Sequence, residues 1–343
     1  MTSDLSRKIS SVGIENRRDP GMSPVGEHAP LPISVVIISY NSREYLRACL
    51  TSIEVDQCSE VIVVDNFSTD GSDEIVIQEF PQIRLIKSKQ NNGYGAAANL
   101  AITHCSSKYV LLLNCDTLLQ PGTLQTLSDY LDQHPQAAVV GPALVNPDGT
   151  RQDSCFAFPT PLQILLRDTS LPTLMRFFSK TGTDDLLDGS PRYARAVPWV
   201  LGAALAIRRS AFESVDGFDR SFFMYYEEVD LCYRLHMLGW QVHFTPAATV
   251  THIGGVSTHQ QRSAMAIQLY KSLCHFYQQH YSRTQRVQLK LVLTYLMLRN
   301  ILKDAFNLFG RTFRRSANNK SSDWMVWRSV LSGVWSTNGW LKP

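Results

Sequence analysis

The pattern of apolar and polar positions divides the chain into three parts. Residues 1–30 are polar, contain several Gly and Pro and show no apolar period, so we interpret them as a flexible tail. Four short apolar runs follow, and each is typical of a buried strand: 33–38, 61–64, 83–86 and 109–113. Each run precedes a stretch with helical spacing: 43–54, 70–80, 95–105 and 121–133, the last with Pro121 at its first position.

This repetition of strand and helix predicts an α/β domain over 31–260, in which helices flank a mostly parallel, Rossmann-like sheet. Beyond residue 260 the strand pattern stops, and 269–281 and 287–309 predict helices, so 261–343 forms a C-terminal helical region. The second of these helices carries charged residues, so its apolar run is shorter than the roughly 20 residues that a membrane span needs.

The C-terminal region leaves two interpretations open. Its amphipathic helices could contact an anionic membrane surface, or they could pack against the catalytic domain or a second subunit of a homo-oligomer. Basic and aromatic side chains suited to a membrane interface are Arg311, Arg314, Arg315, Trp324, Trp327, Trp335 and Trp340.

Charge and cysteine content limit the partners and the compartment. The chain has 33 Lys and Arg against 30 Asp and Glu, and this balance argues against nucleic acid as a partner. The seven cysteines form no Cys-x-x-Cys pair, and the N-terminal segment lacks the apolar core of a secretory signal. We therefore expect a reducing compartment, either the cytoplasm or the inner face of the cell membrane.

Polar side chains stand where three of the predicted strands end. Because parallel strands bring their carboxyl ends to one edge, where ligands bind in such sheets, we expect these residues to share a site. Asp116 could bind Mg²⁺ or Mn²⁺ and so neutralise a diphosphate, or it could cap a helix. Asp65 could contact a ribose or could likewise cap a helix. The strand-end candidates are Ser39, Tyr40, Asn41, Asp65, Asn66, Asn114 and Asp116.

Three further segments carry chemistry that the strand ends do not. The segment with Asn92, Gly93 and Asn99 opens a helix whose N–H groups could approach a phosphate, although Asn-Gly also marks ordinary turns. Glu227, Glu228 and Asp230 lie close together in the sequence, and such crowding raises a carboxylate pKa and suits a general base. Alternatively, the acids mark a helix N-terminus, with Asp230 paired to Arg234. His252 is either structural or a Mn²⁺ ligand.

Six ordered strings carry a resemblance to a known family: VVIISYNSREYLRACLTSI, VIVVDNFSTDGS, NNGYGAAANLAI, YVLLLNCDT, VLGAALAIRRSAFESVDGFDRSFFMYYEEVDLCYRL and THIGGVST. Together they resemble the family 2 glycosyltransferases with a GT-A fold. The similar branch is bacterial and includes rhamnosyltransferases of O-antigen and cell-wall assembly. The match runs from about residue 33 to residue 258.

The resemblance implies a role for each matched residue. Asp65 would contact the nucleoside, and Asp116 would bind the metal, with Asn114 at the first position of an Asp-x-Asp-type motif and His252 completing the site. Glu228 would be the base, standing where the branch usually has Asp, with Glu227 and Asp230 in support. Trp199 and Gly202 would form the acceptor wall.

The implied activity is inverting and metal-dependent transfer of a sugar from a nucleotide diphosphate, with L-rhamnose as the candidate sugar. The implied acceptor is a glycan or a polyprenyl-diphosphate-linked saccharide in cell-surface polysaccharide synthesis. A nucleotide-sugar-binding scaffold without catalysis remains an alternative because Glu228 departs from the usual Asp. A nucleotidyltransferase is a weaker one, since no Gly-rich basic loop follows the first strand. A dinucleotide dehydrogenase would need Gly-x-Gly-x-x-Gly there, and that motif is absent.

Overall fold

The computed structural model describes residues 29–168, 191–254, 262–313, 324–336 and 340–341. Most of the predicted N-terminal tail lies outside these residues, as do Arg314 and Arg315 and the side chain of Arg311. The proposed division of the chain at residues 30 and 260 therefore stays a prediction.

The four predicted strands form the parallel half of the sheet. Strands β1 to β4 are Leu31–Ser39, Cys58–Asp65, Arg84–Lys87 and Tyr109–Asn114, in the spatial order β3-β2-β1-β4. The register pairs Ser39 with Asp65 on one side of β1 and Ile38 with Asn114 on the other. The polar strand ends therefore lie side by side at the carboxyl edge of the sheet.

The second half of the sheet is mixed. The remaining strands β5 to β12 are Thr117–Leu119, Ala137–Val145, Arg151–Gln152, Cys155–Phe156, Arg195–Val197, Trp199–Val200, Ala204–Arg208 and Gln241–His252. β11 runs antiparallel to β4 and β6, while β12 pairs with β6 in parallel and with β5 in antiparallel fashion. The β5–β12 register sets His252 opposite Thr117, so it brings His252 beside Asp116.

Helices α1 to α4 are Arg43–Thr51, Ser72–Glu79, Tyr94–Ile102 and Thr123–Gln133. The first three connect β1 to β4 in turn, and α4 connects β5 to β6. The expected first position of the fourth helix was wrong. Pro121 and Gly122 form a turn before the helix, and Gly122 has φ of +75°, which the right-handed helix does not allow. The helix therefore begins at Thr123.

Two apolar layers cover the sheet, and alternation along β1 assigns residues to them. Val35 and Ile37 face the layer under α1 and α4, while Val36 and Ile38 face the layer under α3. The second layer also receives α6 (Arg209–Glu213) and α7 (Glu227–Met237). Burial on both faces explains why the strands read as continuous apolar runs in the sequence.

The C-terminal helices pack against the rest of the chain. They are α8 (Arg262–His280), α9 (Arg283–Phe313) and α10 (Trp324–Trp335), and α10 was not among the predicted helices. A third apolar cluster joins Phe276, Leu293 and Val330 of these helices to Val229 of α7, with α5 (Pro161–Asp168) beside them. Among the described residues, no helix has the length and apolar content needed to cross a membrane.

Candidate active site

A cleft of about 260 Å³ opens at the carboxyl edge of the sheet. Its floor comes from the strand ends and its wall from the segment that enters α7. Nine of the residues singled out in the sequence line it: Tyr40, Asn66, Gly93, Asn114, Asp116, Gly202, Glu227, Glu228 and His252. The fold thus joins groups from both halves of the sheet around one volume.

Asp116 and His252 form a close pair on one side of this cleft. The distance from Asp116 Oδ1 to His252 Nε2 is 3.6 Å, and both side chains are largely buried. Burial raises the pKa of Asp116 and lowers the pKa of His252, and each partner opposes that shift in the other. The backbone holds this pair, because the N–H of Ile253 donates to the carbonyl oxygen of Asp116 at 3.0 Å.

This donor set fits a hard divalent cation. A carboxylate oxygen and an imidazole nitrogen are both ligands of Mn²⁺, and Mg²⁺ binds through one or two carboxylates together with substrate phosphates. Among the described residues, no cluster of three or more His, Cys, Asp or Glu side chains could hold a metal ion. A cation here would therefore take most of its ligands from a bound diphosphate and from water.

Glu227 and Glu228 stand at the first turn of α7 and also line the cleft. Burial raises the pKa of both carboxyl groups, and the charge of Glu228 raises the pKa of Glu227 further. Nearby backbone N–H groups oppose the rise in both pKa values: that of Glu227 for its own carboxyl group, and those of Glu228, Gly202 and Val229 for the carboxyl group of Glu228. The two carboxyl groups therefore titrate as a coupled pair whose pKa values lie above the ordinary range.

The residues that lead into α7 have an uncommon backbone conformation. Tyr225 and Tyr226 have φ of 64° and 67°, which is the left-handed region that non-glycine residues seldom adopt. Such conformations cost about 1–3 kcal/mol each and persist where the surrounding contacts enforce them. Here they turn the chain so that Tyr225 and the first two residues of α7 all face the cleft.

The residues predicted to contact a nucleoside lie at and just after the ends of β1 and β2. Asp65 is buried; its Oδ2 accepts from the N–H of Ser68 at 3.2 Å, while its Oδ1 has no hydrogen-bond partner among the described residues. Asn66 donates to Asn91 Oδ1 and to the carbonyl oxygen of Gly93. Asn41 accepts from the N–H of Thr69 and fixes the neighbouring loop.

Several predicted site residues instead make structural contacts away from the cleft. Asn99 accepts from the N–H and donates to the carbonyl oxygen of Phe218, so both ends of its amide are occupied. Asp230 is fully buried between Arg234 and His280, with contacts of 2.7 Å and 2.6 Å. Trp199 stacks on Phe156 and donates to the carbonyl oxygen of Ala157. Trp199 and Asp230 do not line the cleft, and acceptor contact by Trp199 and base support by Asp230 stay predictions.

The N–H groups of the Asn-Gly segment that were predicted to approach a phosphate have partners within the protein: that of Asn92 donates to Asn66 Oδ1 and that of Gly93 to Asn91 Oδ1. The N–H of Tyr94, at the start of α3, donates to the carbonyl oxygen of Phe223 at 3.0 Å. Asn92 is exposed and bonds to Gln90. Ser39 is buried and shares a hydrogen bond with the Ser42 hydroxyl. Gly93 remains at the cleft, but it does so as a close-packing position.

Other cleft residues were not predicted as site residues: Ile38, Asn91, Tyr94, Cys115, Leu201, Ala203, Phe223, Met224 and Tyr225. Phe223, Met224 and Tyr225 belong to the aromatic run before the acidic cluster, and that adjacency was a usable signal. Gln152, which contacts His252 Nδ1 at 2.6 Å, had no signal in the sequence, because only the β6–β7 hairpin brings it there.

The fold and the cleft define a glycosyltransferase with a GT-A fold. Residues 34–192 match the model of glycosyl transferase family 2. The chain is 30% identical over 296 residues, which cover 79% of it and 94% of the relative, to N-acetylglucosaminyl-diphospho-decaprenol L-rhamnosyltransferase of Mycobacterium tuberculosis. The family match and the similarity to this relative agree, so the chain belongs to glycosyl transferase family 2. The relative is a rhamnosyltransferase.

A further relative and two solved structures agree. Rhamnosyltransferase WbbL of Escherichia coli is 25% identical over 67% of this chain and 86% of its own length. The mannosyltransferase PcManGT of Pyrobaculum calidifontis, in complex with GDP-Man and Mn²⁺, aligns with a TM-score of 0.53 at 15% identity over 97% of this chain and 94% of its own. GalNAc-T7 with UDP, GalNAc and Mn²⁺ aligns with a TM-score of 0.51 at 14% identity. The alignment covers 74% of this chain and 51%, about half, of that one. These two show the shared fold.

Proposed function

We propose that this chain is an inverting, divalent-cation-dependent glycosyltransferase that moves a sugar, with L-rhamnose as the candidate, from a nucleotide diphosphate to a lipid-diphosphate-linked saccharide. The Mycobacterium tuberculosis relative, whose name states an L-rhamnosyltransferase acting on N-acetylglucosaminyl-diphospho-decaprenol, supports the choice of sugar and acceptor. A role in cell-surface polysaccharide synthesis follows from that acceptor class.

One observation carries this proposal: the cleft is lined both by the Asp116–His252 pair and by the Glu227–Glu228 pair. The first pair suits the diphosphate end of a donor, and the second suits proton removal from an acceptor hydroxyl. Transfer of a sugar needs these two functions on opposite sides of one anomeric carbon. The arrangement therefore supports transfer more directly than binding alone.

Asp116 and His252 would hold the cation, with Asn114 as a neutral neighbour in the cleft. The cation would neutralise the charge that develops on the departing diphosphate. Asp65, with its free Oδ1, would accept a hydrogen bond from the nucleoside part of the donor. Tyr40 and Asn66 would complete that side of the cleft.

Glu228 would act as the base. The acceptor oxygen attacks the anomeric carbon from the face opposite the diphosphate, so the new carbon–oxygen bond forms as the bond to the phosphate oxygen breaks. Glu228 takes the hydroxyl proton, and the configuration at the anomeric carbon inverts. Burial raises the pKa of this carboxyl pair, which makes it more basic than exposed carboxylates and suits a group that takes a hydroxyl proton.

The decisive experiment is a screen of sugar nucleotides with Mg²⁺ or Mn²⁺ and a synthetic polyprenyl-diphosphate N-acetylglucosamine acceptor. Released nucleoside diphosphate is followed by mass spectrometry, and the product configuration by NMR. We expect Glu228→Gln to lower kcat by about 10²–10⁴-fold with little change in the donor KM. We expect Asp116→Asn to weaken Mn²⁺ binding in the presence of nucleoside diphosphate. Exposed Asp129→Asn on α4 serves as the charge control for kcat.

The same screen separates the alternatives. A binding scaffold would bind donor and release no nucleoside diphosphate in the presence of acceptor and metal. A nucleotidyltransferase would release no nucleoside diphosphate from a sugar nucleotide; with added pyrophosphate it would transfer the nucleoside monophosphate and give a nucleoside triphosphate and the sugar 1-phosphate. Retention of configuration in the product, or full turnover by Glu228→Gln, would contradict the role of Glu228 as the base.

We also propose that α9 contacts the inner surface of the cell membrane, where a lipid-linked acceptor resides. The buried face of α9 carries Leu289, Leu293 and Leu296. A stripe of exposed apolar residues, spaced by three or four positions, runs along its other face: Val287, Leu291, Tyr295, Leu298, Leu302 and Phe306. Basic residues of the same helix include Arg283, Arg286, Lys290, Arg299 and Lys303. Apolar side chains flanked by cations suit an anionic bilayer surface.

A further inference from the structure

A chain of hydrogen bonds leads from the surface turn between β6 and β7 to His252. The Thr150 hydroxyl contacts Asp148 Oδ1 at 2.5 Å, and Asn146 Nδ2 contacts the Thr150 hydroxyl at 2.9 Å. Gln152 Nε2 contacts Asn146 Oδ1 at 3.2 Å. Gln152 Oε1 contacts His252 Nδ1 at 2.6 Å. The last side chain of this series is the imidazole beside Asp116.

The direction of each hydrogen bond follows from Asp148, because an ionised carboxylate only accepts. Hydrogen bonds from Thr150 lower the pKa of Asp148, so this carboxylate is ionised near neutral pH. The Thr150 hydroxyl therefore donates to Asp148 and accepts from the Asn146 amide. This leaves the Asn146 oxygen facing Gln152, which donates through its amide nitrogen and presents its oxygen to His252.

An amide oxygen cannot donate, so His252 must carry its proton on Nδ1. In the neutral imidazole, Nε2 then has a lone pair and no hydrogen. This Nε2 atom faces Asp116 Oδ1 at 3.6 Å. Two electron-rich atoms thus face each other, and the interaction becomes favourable when a cation lies between them.

The backbone holds the acceptor end of this series, at Asp148 and Thr150, in place. The β6–β7 ladder pairs Leu144 with Gln152, and the N–H of Thr150 also donates to Asp148 Oδ1 at 2.9 Å. Gly149 has φ of +80° and closes the turn. Gln152 is therefore positioned by the hairpin independently of the cleft.

We infer that Gln152 is a positioning residue that fixes the His252 tautomer with Nε2 free to bind a divalent cation. This inference rests on the cation site of the proposed function. Without Gln152 the other tautomer becomes available, in which Nε2–H donates to Asp116. That neutral pairing would satisfy both side chains and would remove the imidazole from the ligand set. Partners that orient a ligating histidine in this way typically affect metal affinity by about 10–100-fold.

The test uses the full chain labelled with ¹⁵N-histidine, at a pH where imidazoles are neutral and without metal. The His252 signals, identified by their loss in His252→Asn, are expected to show the Nδ1–H tautomer. Gln152→Met removes the acceptor at similar length and should shift His252 towards Nε2–H. Gln152→Glu keeps an acceptor and should retain the wild-type tautomer.

The second readout is Mn²⁺ affinity, measured by electron paramagnetic resonance with added nucleoside diphosphate. We expect Gln152→Met to raise the Mn²⁺ dissociation constant about 10–100-fold and Gln152→Glu to stay within about threefold of wild type. Gln125→Met, at an exposed helix position, is the matched control. Thr150→Val removes the hydroxyl group that orients the Asn146 amide and leaves the cleft residues unchanged. It provides a second route to the same tautomer shift if Gln152→Met folds poorly.

An unchanged tautomer in Gln152→Met and Thr150→Val would overturn the inference. A shifted tautomer with unchanged Mn²⁺ affinity would overturn the link to metal binding. If the wild-type chain binds no Mn²⁺, the cation site of the proposed function fails, and the metal-free spectra still decide whether Gln152 sets the tautomer. The two failures are therefore distinguishable.

Discussion

The backbone N–H of Tyr94 donates a 3.0 Å hydrogen bond to the carbonyl oxygen of Phe223. This bond ties the start of α3 to the segment that carries Tyr225, Tyr226 and the two glutamates into the cleft. Gly93 makes the approach possible, because a Cβ atom there would lie 2.1 Å from the Phe223 carbonyl oxygen. The start of α3 and the segment that enters α7 therefore meet at a position that only a glycine can occupy.

Gly93→Ala is therefore expected to lower the free energy of unfolding by about 3 kcal/mol and to lower turnover as well. The backbone there has φ of +86°, and the added methyl group would meet main-chain atoms that cannot rotate away. Urea unfolding measures the first effect, and donor turnover measures the second. Gly122→Ala is the matched control, since Gly122 has φ of +75° with no heavy atom within 4 Å. Its expected cost is about 1–2 kcal/mol; equal losses would contradict the close-packing role of Gly93.

Stability should depend on pH through Glu227. Its pKa in the folded chain lies well above the ordinary value of 4.5, so the folded state binds this proton more tightly than the unfolded state does. The resulting stability is present below pH 4.5 and is lost as pH rises through the raised pKa. Glu227→Gln removes that loss, so its unfolding free energy should fall less between pH 5 and pH 9 than that of wild type.

Urea unfolding at a series of pH values checks this expectation. Exposed Glu79 is a control of opposite sign, because hydrogen bonding to Arg47 lowers the pKa of Glu79. Its contribution is lost as pH falls through that lowered value, and Glu79→Gln should leave the profile above pH 5 unchanged. A Glu227→Gln profile that parallels that of wild type would show that the pKa of Glu227 is not raised in the folded chain.

Asp230→Asn is expected to cost about 3–5 kcal/mol of stability, because it leaves the buried ends of Arg234 and His280 without their charged partner. The effect on kcat of the folded fraction should be small, since Asp230 does not line the cleft. Glu213→Gln, which breaks an exposed pair with Arg209, should change stability by less than about 1 kcal/mol. A large loss of kcat with unchanged stability would contradict this expectation and would support the predicted role of Asp230 beside the base.

Membrane contact through α9 can be tested by flotation with liposomes. A double variant of Leu302→Glu and Phe306→Glu places charge on the most exposed part of the apolar stripe, where these side chains are 70% and 79% exposed. Each buried apolar side chain contributes about 1.5–3 kcal/mol, so partitioning to anionic vesicles should fall at least about tenfold. Ile77→Glu, at an exposed apolar position on α2, should leave flotation unchanged. Equal flotation of all variants, or of none including wild type, would contradict the proposal.

The local patterns in the sequence predicted the parallel half of the fold and the site that it forms. Continuous apolar runs indicated strands buried on both faces, and the rule for parallel strands placed Asp65, Asn114 and Asp116 at one edge, as the β1 register confirms. The order of six motifs indicated the family, which the comparisons confirm. Those inferences needed only period, residue type and order along the chain.

Tertiary structure decided what depends on contacts between distant segments. Asn99 and Asp230 stand in motif strings, and only the fold shows that Asn99 pairs with Phe218 and that Asp230 pairs with Arg234 and His280. The register of β12 against β5 brings His252 to Asp116, and the β6–β7 hairpin supplies Gln152. Residue type records which chemistry a side chain can perform, whereas strand register and helix packing determine which partner it meets.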